Sequence, residues 1–154
     1  MTNRPARRRF ISVLAGIAAA PLLPARAADA QQSESFAELV RRLTGGAKVT
    51  PGRVTVDTPR LADNGHSVPL TVSVASPMTA ADHVRSITLL SGRNPRPLMA
   101  KYHLGPKSGR AQIATRVRLN GSQRVLVIAQ LSDGSYWSGT AEVEVTESAC
   151  LDAT

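Results

Sequence analysis

From Val68 to Val74 the chain reads VPLTVSV, placing Val68, Leu70, Val72 and Val74 on one side and Pro69, Thr71 and Ser73 on the other. A period of two is what a strand with one buried face requires. The same signature returns along the chain: RVTVD (53–57), VRSITLL (84–90), LMAKYHL (98–104), AQIATRVRL (111–119), VLVIAQL (125–131), then Tyr136-Trp137 and AEVEV (141–145). Between these runs stand Pro59, Ser91-Gly92-Arg93-Asn94-Pro95, Gly105-Pro106, Asn120-Gly121 and Asp133-Gly134, residues that turn a chain sharply. About seven short strands with turns at this spacing predict an all-β antiparallel sandwich. Ile113, Val117 and Leu119 are expected to point inward, and Pro69, lacking an N–H, marks a strand beginning or an edge. One helix precedes the strands. Phe36, Leu39, Val40 and Leu43 draw a single apolar stripe, with Ser33 or Ser35 to cap it and Gly45-Gly46 to stop it.

The N-terminus follows different rules. Arg4, Arg7, Arg8 and Arg9 precede an apolar run from Phe10 to Leu23, and Ala25 and Ala27 have A-x-A spacing. The run is shorter than the ~20 residues a membrane-spanning helix needs. Residues 1–27 are therefore expected to be a removed export signal, and Arg7-Arg8-Arg9-Phe10-Ile11 fits the twin-arginine pattern, a route for folded cargo into the periplasm. The expected organisation continues with a polar, disordered start and short helix (28–46), the sandwich (47–146) and a flexible C-terminal arm (147–154). Five of the 19 basic residues and none of the 11 acidic ones lie in 1–27, leaving fourteen against eleven. So small an excess argues for neither nucleic-acid nor membrane-surface binding, and two Phe, two Tyr and one Trp offer no stacking platform for bases.

The single cysteine, Cys150, is the fifth residue from the end of the sequence. In an oxidising compartment it is free, joined to another molecule, or chemically loaded. Flanking Glu147 and Asp152 raise a thiol's pKa, so activation has to come from a docking partner. His66, His83 and His103 lack metal-ligand spacing, no second cysteine completes a zinc site, and no G-x-S-x-G nucleophile turn occurs. No catalytic, cofactor-binding or metal-binding residue is assigned. As an autonomous enzyme the chain lacks parts.

Several stretches carry a resemblance: SFAELVRRLTGG, Ser76-Pro77-Met78-Thr79 with Asp82 and Val84, Asn94-Pro95, Thr115-Arg116-Val117-Arg118-Leu119, and Ser132-Asp133-Gly134-Ser135 with Trp137. In order and spacing they resemble SoxY, the sulfur-carrier family of the bacterial sulfur-oxidation (Sox) system, over nearly all of the chain after the signal. The resemblance implies an immunoglobulin-like sandwich, no enzymatic activity of its own and no cofactor. It also implies a heterodimer with a SoxZ-like sandwich protein and transient encounters with a haem coupling enzyme, a sulfate-releasing hydrolase and a sulfane dehydrogenase. Cys150 matches the carrier cysteine, the point of covalent sulfur attachment during thiosulfate oxidation. The arm departs from the family's G-G-C-G-G: Ser148-Ala149 precede the cysteine and Leu151-Asp152 follow it. Either the partners fit this tail, or the chain is a paralogue with another sulfur cargo, or turnover is impaired. A different class of reading is a non-carrier subunit of a Sox-like complex with a dispensable cysteine.

Overall fold

The computed structural model describes residues 35–148. Helix α1 (Phe36–Thr44) begins where Ser35 Oγ accepts the Glu38 N–H and ends at Gly45 in the left-handed conformation. Its single apolar stripe cannot be buried by the helix alone. Leu39 packs on Leu90 and Ile128, with Phe36, Val40 and Leu43 around them. A fully buried leucine contributes about 1.5–3 kcal/mol, so Leu39 is the main tether of α1 to the sheet.

Nine strands follow among the described residues: β1 (Val49–Pro51), β2 (Val54–Asp57), β3 (Leu61–Asn64), β4 (Val68–Val74), β5 (Val84–Ser91), β6 (Leu98–His103), β7 (Gln112–Val117), β8 (Gln123–Leu131) and β9 (Tyr136–Glu147). A short 3-10 turn, Pro106–Ser108, lies between β6 and β7. The larger sheet runs β1-β9-β8-β5-β6, with β3 also on β9, and the smaller runs β2-β4-β7. The two enclose Val68, Leu70, Val72, Val84, Ile87, Leu89, Leu119, Val125, Val127 and Val143. This is the expected all-β immunoglobulin-like sandwich with a short N-terminal helix.

Burial explains the sequence pattern strand by strand. β4 keeps strict alternation because one face meets the core and the other solvent. Pro69 pairs with Arg116 of β7, while β2 reaches only as far as Thr71, so the missing N–H costs no ladder bond on the β2 side. β5 is buried on both faces after Val84 and Arg85, since the core covers Ile87 and Leu89 and α1 covers Leu90. A register shift between Val84 and Ser86 lets Val84 and Ile87 share the core side, which a strict period of two forbids.

Two features depart from the expected all-antiparallel pairing. Both β1 and β3 pair with β9 in parallel, at Val49↔Tyr136 and Leu61↔Glu144. The chain then leaves the large sheet for the small one between β1 and β2. Gly52 (φ 121) and Arg53 (φ 55) make that corner, and the Gly52 N–H donates to Ser138 O at 2.9 Å. As β2 crosses, its backbone passes over Gly139, where a Cβ would collide with the Val54 carbonyl oxygen. A glycine in mid-strand is thus required by close backbone approach. Tyr136-Trp137 and Ala141–Val145, expected as separate pieces, form one strand for this reason.

Candidate functional site

The site candidate from sequence, Cys150, lies outside the described residues. The fold fixes where the chain leading to it leaves the sandwich. β9 continues through Glu147, which pairs with Asn64 and whose carbonyl accepts the Gly65 N–H at 2.7 Å. The expected arm, 147–154, therefore has its first residue inside the fold; sequence reading left Glu147 without a partner because β3 was unseen. Ser122 Oγ accepts the Val145 N–H at 2.8 Å, and Ser148 Oγ donates to Asn120 Oδ1. Residues 149–154 lie outside the described residues.

Three segments converge beneath Ser148. Asn94 Oδ1 accepts from Asn120 N (2.9 Å) and Gln123 Nε2 (3.2 Å), and its Nδ2 donates to Arg118 O (2.7 Å). Asn120 Nδ2 donates to Arg93 O (3.3 Å), and Arg93 Nη1 to Ser122 O (2.9 Å). Ser91 Oγ, buried, donates to Gln123 Oε1. The β5–β6 loop, the β7–β8 loop and the end of β9 thus form one cross-linked platform. Gln123 and Ser91 are buried and Asn94 and Asn120 partly so, and mutual hydrogen bonds cross-link such a junction. Ser148, the last described residue, is thus hydrogen-bonded to this platform.

The residues carrying the sequence resemblance divide between the two ends of the sandwich. Asn94 belongs to the arm platform, next to Arg118. Ser76, Met78, Thr79 and Asp82 lie at the opposite end with the Ser132–Ser135 turn. There Met78 is buried at φ 52, its Sδ accepts the Val84 N–H, and Ser132 Oγ accepts the His83 N–H at 3.1 Å and donates to Ala81 O at 3.0 Å. The histidines do not gather. His66 is exposed beside Asn64, His83 Nδ1 lies 3.1 Å from Thr79 O, and His103 ends β6. Among the described residues no group of three or more His, Cys, Asp or Glu could hold a metal ion, and no helix is long and apolar enough to cross a membrane.

The Asp133 turn makes a pH-dependent link. Asp133 Oδ1 accepts from Ser135 Oγ (2.7 Å) and Ser135 N (2.8 Å), and Ser135 Oγ accepts Trp137 Nε1–H (3.1 Å). These bonds, the side-chain one foremost, hold the Asp133 carboxyl below the ordinary carboxylate range, with Arg53, stacked 5.0 Å from the Trp137 ring centre, adding a smaller pull. A depressed folded pKa means the link is present at neutral pH and lost as pH falls below about 3.8 through the depressed value. Trp137 is the sole tryptophan, so its emission is expected to hold steady down to that range and then shift. Asp133→Ala should show the shifted emission already at neutral pH; unchanged emission in that variant would contradict the link.

A family model described as "Sulfur oxidation protein SoxY" matches residues 40–150. The chain belongs to the SoxY family. The sulfur carrier protein SoxY from Chlorobium limicola f thiosulfatophilum has a similar structure, with a TM-score of 0.62 and 21% identity over 73% of this chain and 96% of that one. Superoxide reductases share the fold more distantly. The Ignicoccus hospitalis neelaredoxin gives a TM-score of 0.55 at 20% identity, covering 61% of this chain and 80% of that one. The Nanoarchaeum equitans enzyme gives 0.53 at 11%, covering 62% and 100%. No curated protein matches. SoxY membership groups the chain with sulfur carriers rather than enzymes, and implies partners within the Sox system generally.

Sequence reading missed the platform beneath Ser148. Asn120 and Ser91 were legible only as turn residues, and Gln123 carried no signal, since the network joins residues about thirty positions apart.

Proposed function

We propose that this SoxY-family chain is a periplasmic sulfur carrier that holds thiosulfate-derived sulfur covalently on Cys150. The observation that carries the reading is that the family match extends to residue 150, where the only cysteine of the chain stands. A Ser148 hydrogen-bonded to the sandwich with a cysteine two residues on suits presentation of a thiol to another protein's pocket.

The chemistry balances with named partners. In loading, a bond forms between Cys150 Sγ and the outer sulfur of thiosulfate. Two electrons leave to a haem coupling enzyme and the thiol proton goes to solvent. Hydrolysis then breaks the bond between that outer sulfur and the sulfonate sulfur, water supplying the oxygen of the released sulfate and the proton that leaves a persulfide on Cys150. A sulfane dehydrogenase accepts six electrons from the remaining outer sulfur while three waters supply its oxygens and protons go to solvent, leaving a sulfonate on Cys150 Sγ. A second hydrolysis breaks that S–S bond, releases sulfate and returns the free thiol. The body contributes docking surface, including a permanent SoxZ-like sandwich partner. Export by the twin-arginine route, supported by the Arg7–Ile11 pattern, would carry that partner along as folded cargo.

Loading is read out as thiosulfate-dependent reduction of the haem partner. The wild-type chain is expected to release two electrons per chain, and Cys150→Ser none above background while still binding the SoxZ-like protein. Equal reduction with both chains would leave the cysteine dispensable and favour a non-carrier subunit.

A further inference from the structure

The basic residues of the chain are unevenly spread. Between His83 and Ser132 stand nine Lys or Arg and no Asp or Glu. The rest of the chain after residue 27 holds five basic residues against eleven acidic ones. Seven of the nine cations, from Arg93 to Arg118, lie on β6, on β7 or in the segments flanking them.

These two strands end their sheets. Among the described residues β6 pairs only with β5, and β7 only with β4. Their outer edges therefore carry backbone N–H and C=O groups with no strand partner. Both edges border one opening of the sandwich, where Tyr102 Oη donates to Thr115 Oγ1 at 3.3 Å. A cleft of about 370 Å³ lies there. Leu98, Met99 and Tyr102 give it an apolar side, and Leu98 is 41% exposed. Arg96, Arg116 and Arg118 line it with positive charge. The Arg116 guanidinium is held by Ser67, donating to its carbonyl at 3.3 Å and its hydroxyl at 3.2 Å. Among the described residues neither Arg96 nor Arg118 is ion-paired. The cleft also includes Asn94, whose amide bonds Asn120 and Gln123 in the platform beneath Ser148.

We propose that this cleft docks an acidic, extended segment of a protein partner, which lies along the open edges of β6 and β7. A strand sends alternate side chains to opposite sides. Every second residue of the segment then meets the apolar side, and those between meet the arginines, while its backbone pairs with the free edge groups. A small anion would use the charge alone and leave the apolar side and the backbone groups unused. A second copy placed edge to edge would bring the same cations against each other. Lys101 already guards β6 against such pairing; the six other cations favour an occupant of opposite charge. Docking is a property of the folded body and holds whatever Cys150 carries.

The test is fluorescence anisotropy of a labelled synthetic peptide of alternating glutamate and valine, titrated with the full chain. Binding is expected to weaken as salt rises, and to be about tenfold weaker in the Arg96→Glu, Arg118→Glu double variant. Both side chains are exposed, and Arg118 serves the platform only through its backbone carbonyl, so Trp137 emission should be unchanged. Lys48→Glu with Arg60→Glu makes the same charge change beside β1 and β3, on the far side of the larger sheet. That pair should keep binding within about twofold. Equal losses in the two double variants overturn the proposal, since net charge alone would then govern. So does equal binding of a glutamate–proline peptide, which carries the charge but cannot pair as a strand. Displacement of the peptide by sulfate at constant ionic strength would mark a small-anion site and overturns it too, as does a wild-type chain that ignores the peptide. A dimer of the chain alone that the Arg96→Glu, Arg118→Glu variant lacks would make the occupant a second copy, again overturning it.

Discussion

Gly139→Ala is expected to destabilise the chain by at least about 3 kcal/mol, the upper part of the range for forcing atoms into a packed site. A Cβ at this position would collide with the Val54 carbonyl oxygen and sit 3.0 Å from Val54 C and 3.1 Å from Val54 Cβ. None of these atoms is the free end of a flexible side chain. They belong to β2 just after it switches sheets, held by Val54↔Val74 in the small sheet and by the Gly52–Ser138 bond to the large one. Relief requires moving β2 away from β9 or breaking Gly139↔Val127 in the heart of the large sheet. Gly105→Ala is the control. Gly105 has an extended backbone and nothing within 4 Å of a new Cβ, so its cost should stay within about 0.5 kcal/mol. Urea unfolding followed by Trp137 emission measures both. A Gly139→Ala chain as stable as the control would mean that β2 does not cross there.

The same glycine shows where sequence reading succeeded and where it stopped. α1 and β4 were legible because one side of each faces the interior and the other water, leaving a clean period. β5 was found but its bulge was not, since Val84 and Ile87 share a face only once the register slips. β9 was split in two because Ser138-Gly139-Thr140 looks like a turn; its conformation is set by β2, eighty residues upstream. β1 and β3 escaped because one contains Pro51 and the other reads Leu-Ala-Asp-Asn, and both exist through pairing with β9 rather than through any preference of their own. Cys150 was singled out by uniqueness and position, and it lies outside the described residues. The platform beneath Ser148 was not legible, because Asn94, Asn120 and Gln123 acquire their roles only when three loops meet.

The second large effect falls on chemistry. Cys150→Ser is expected to abolish covalent loading outright, because a serine hydroxyl, unlike a thiolate, neither ionises near neutral pH nor forms a disulfide-type bond to sulfur. The folded body should be indifferent to the change: Cys150 lies beyond Ser148, the last described residue, and the strand pairs and core contacts among the described residues are made without it. Unfolding midpoint and binding to the SoxZ-like partner should therefore match the wild type within error. Loss of the adduct with the fold retained separates a carrier from a structural subunit.

The most direct measurement is the intact mass of the chain after incubation with thiosulfate and the haem coupling enzyme, followed by mapping of the C-terminal peptide. A single thiosulfate-derived adduct on Cys150, removed by a thiol reductant and missing from Cys150→Ser, is the predicted result. A wild-type chain that stays unmodified while the coupling enzyme is active and the complex is assembled would contradict it.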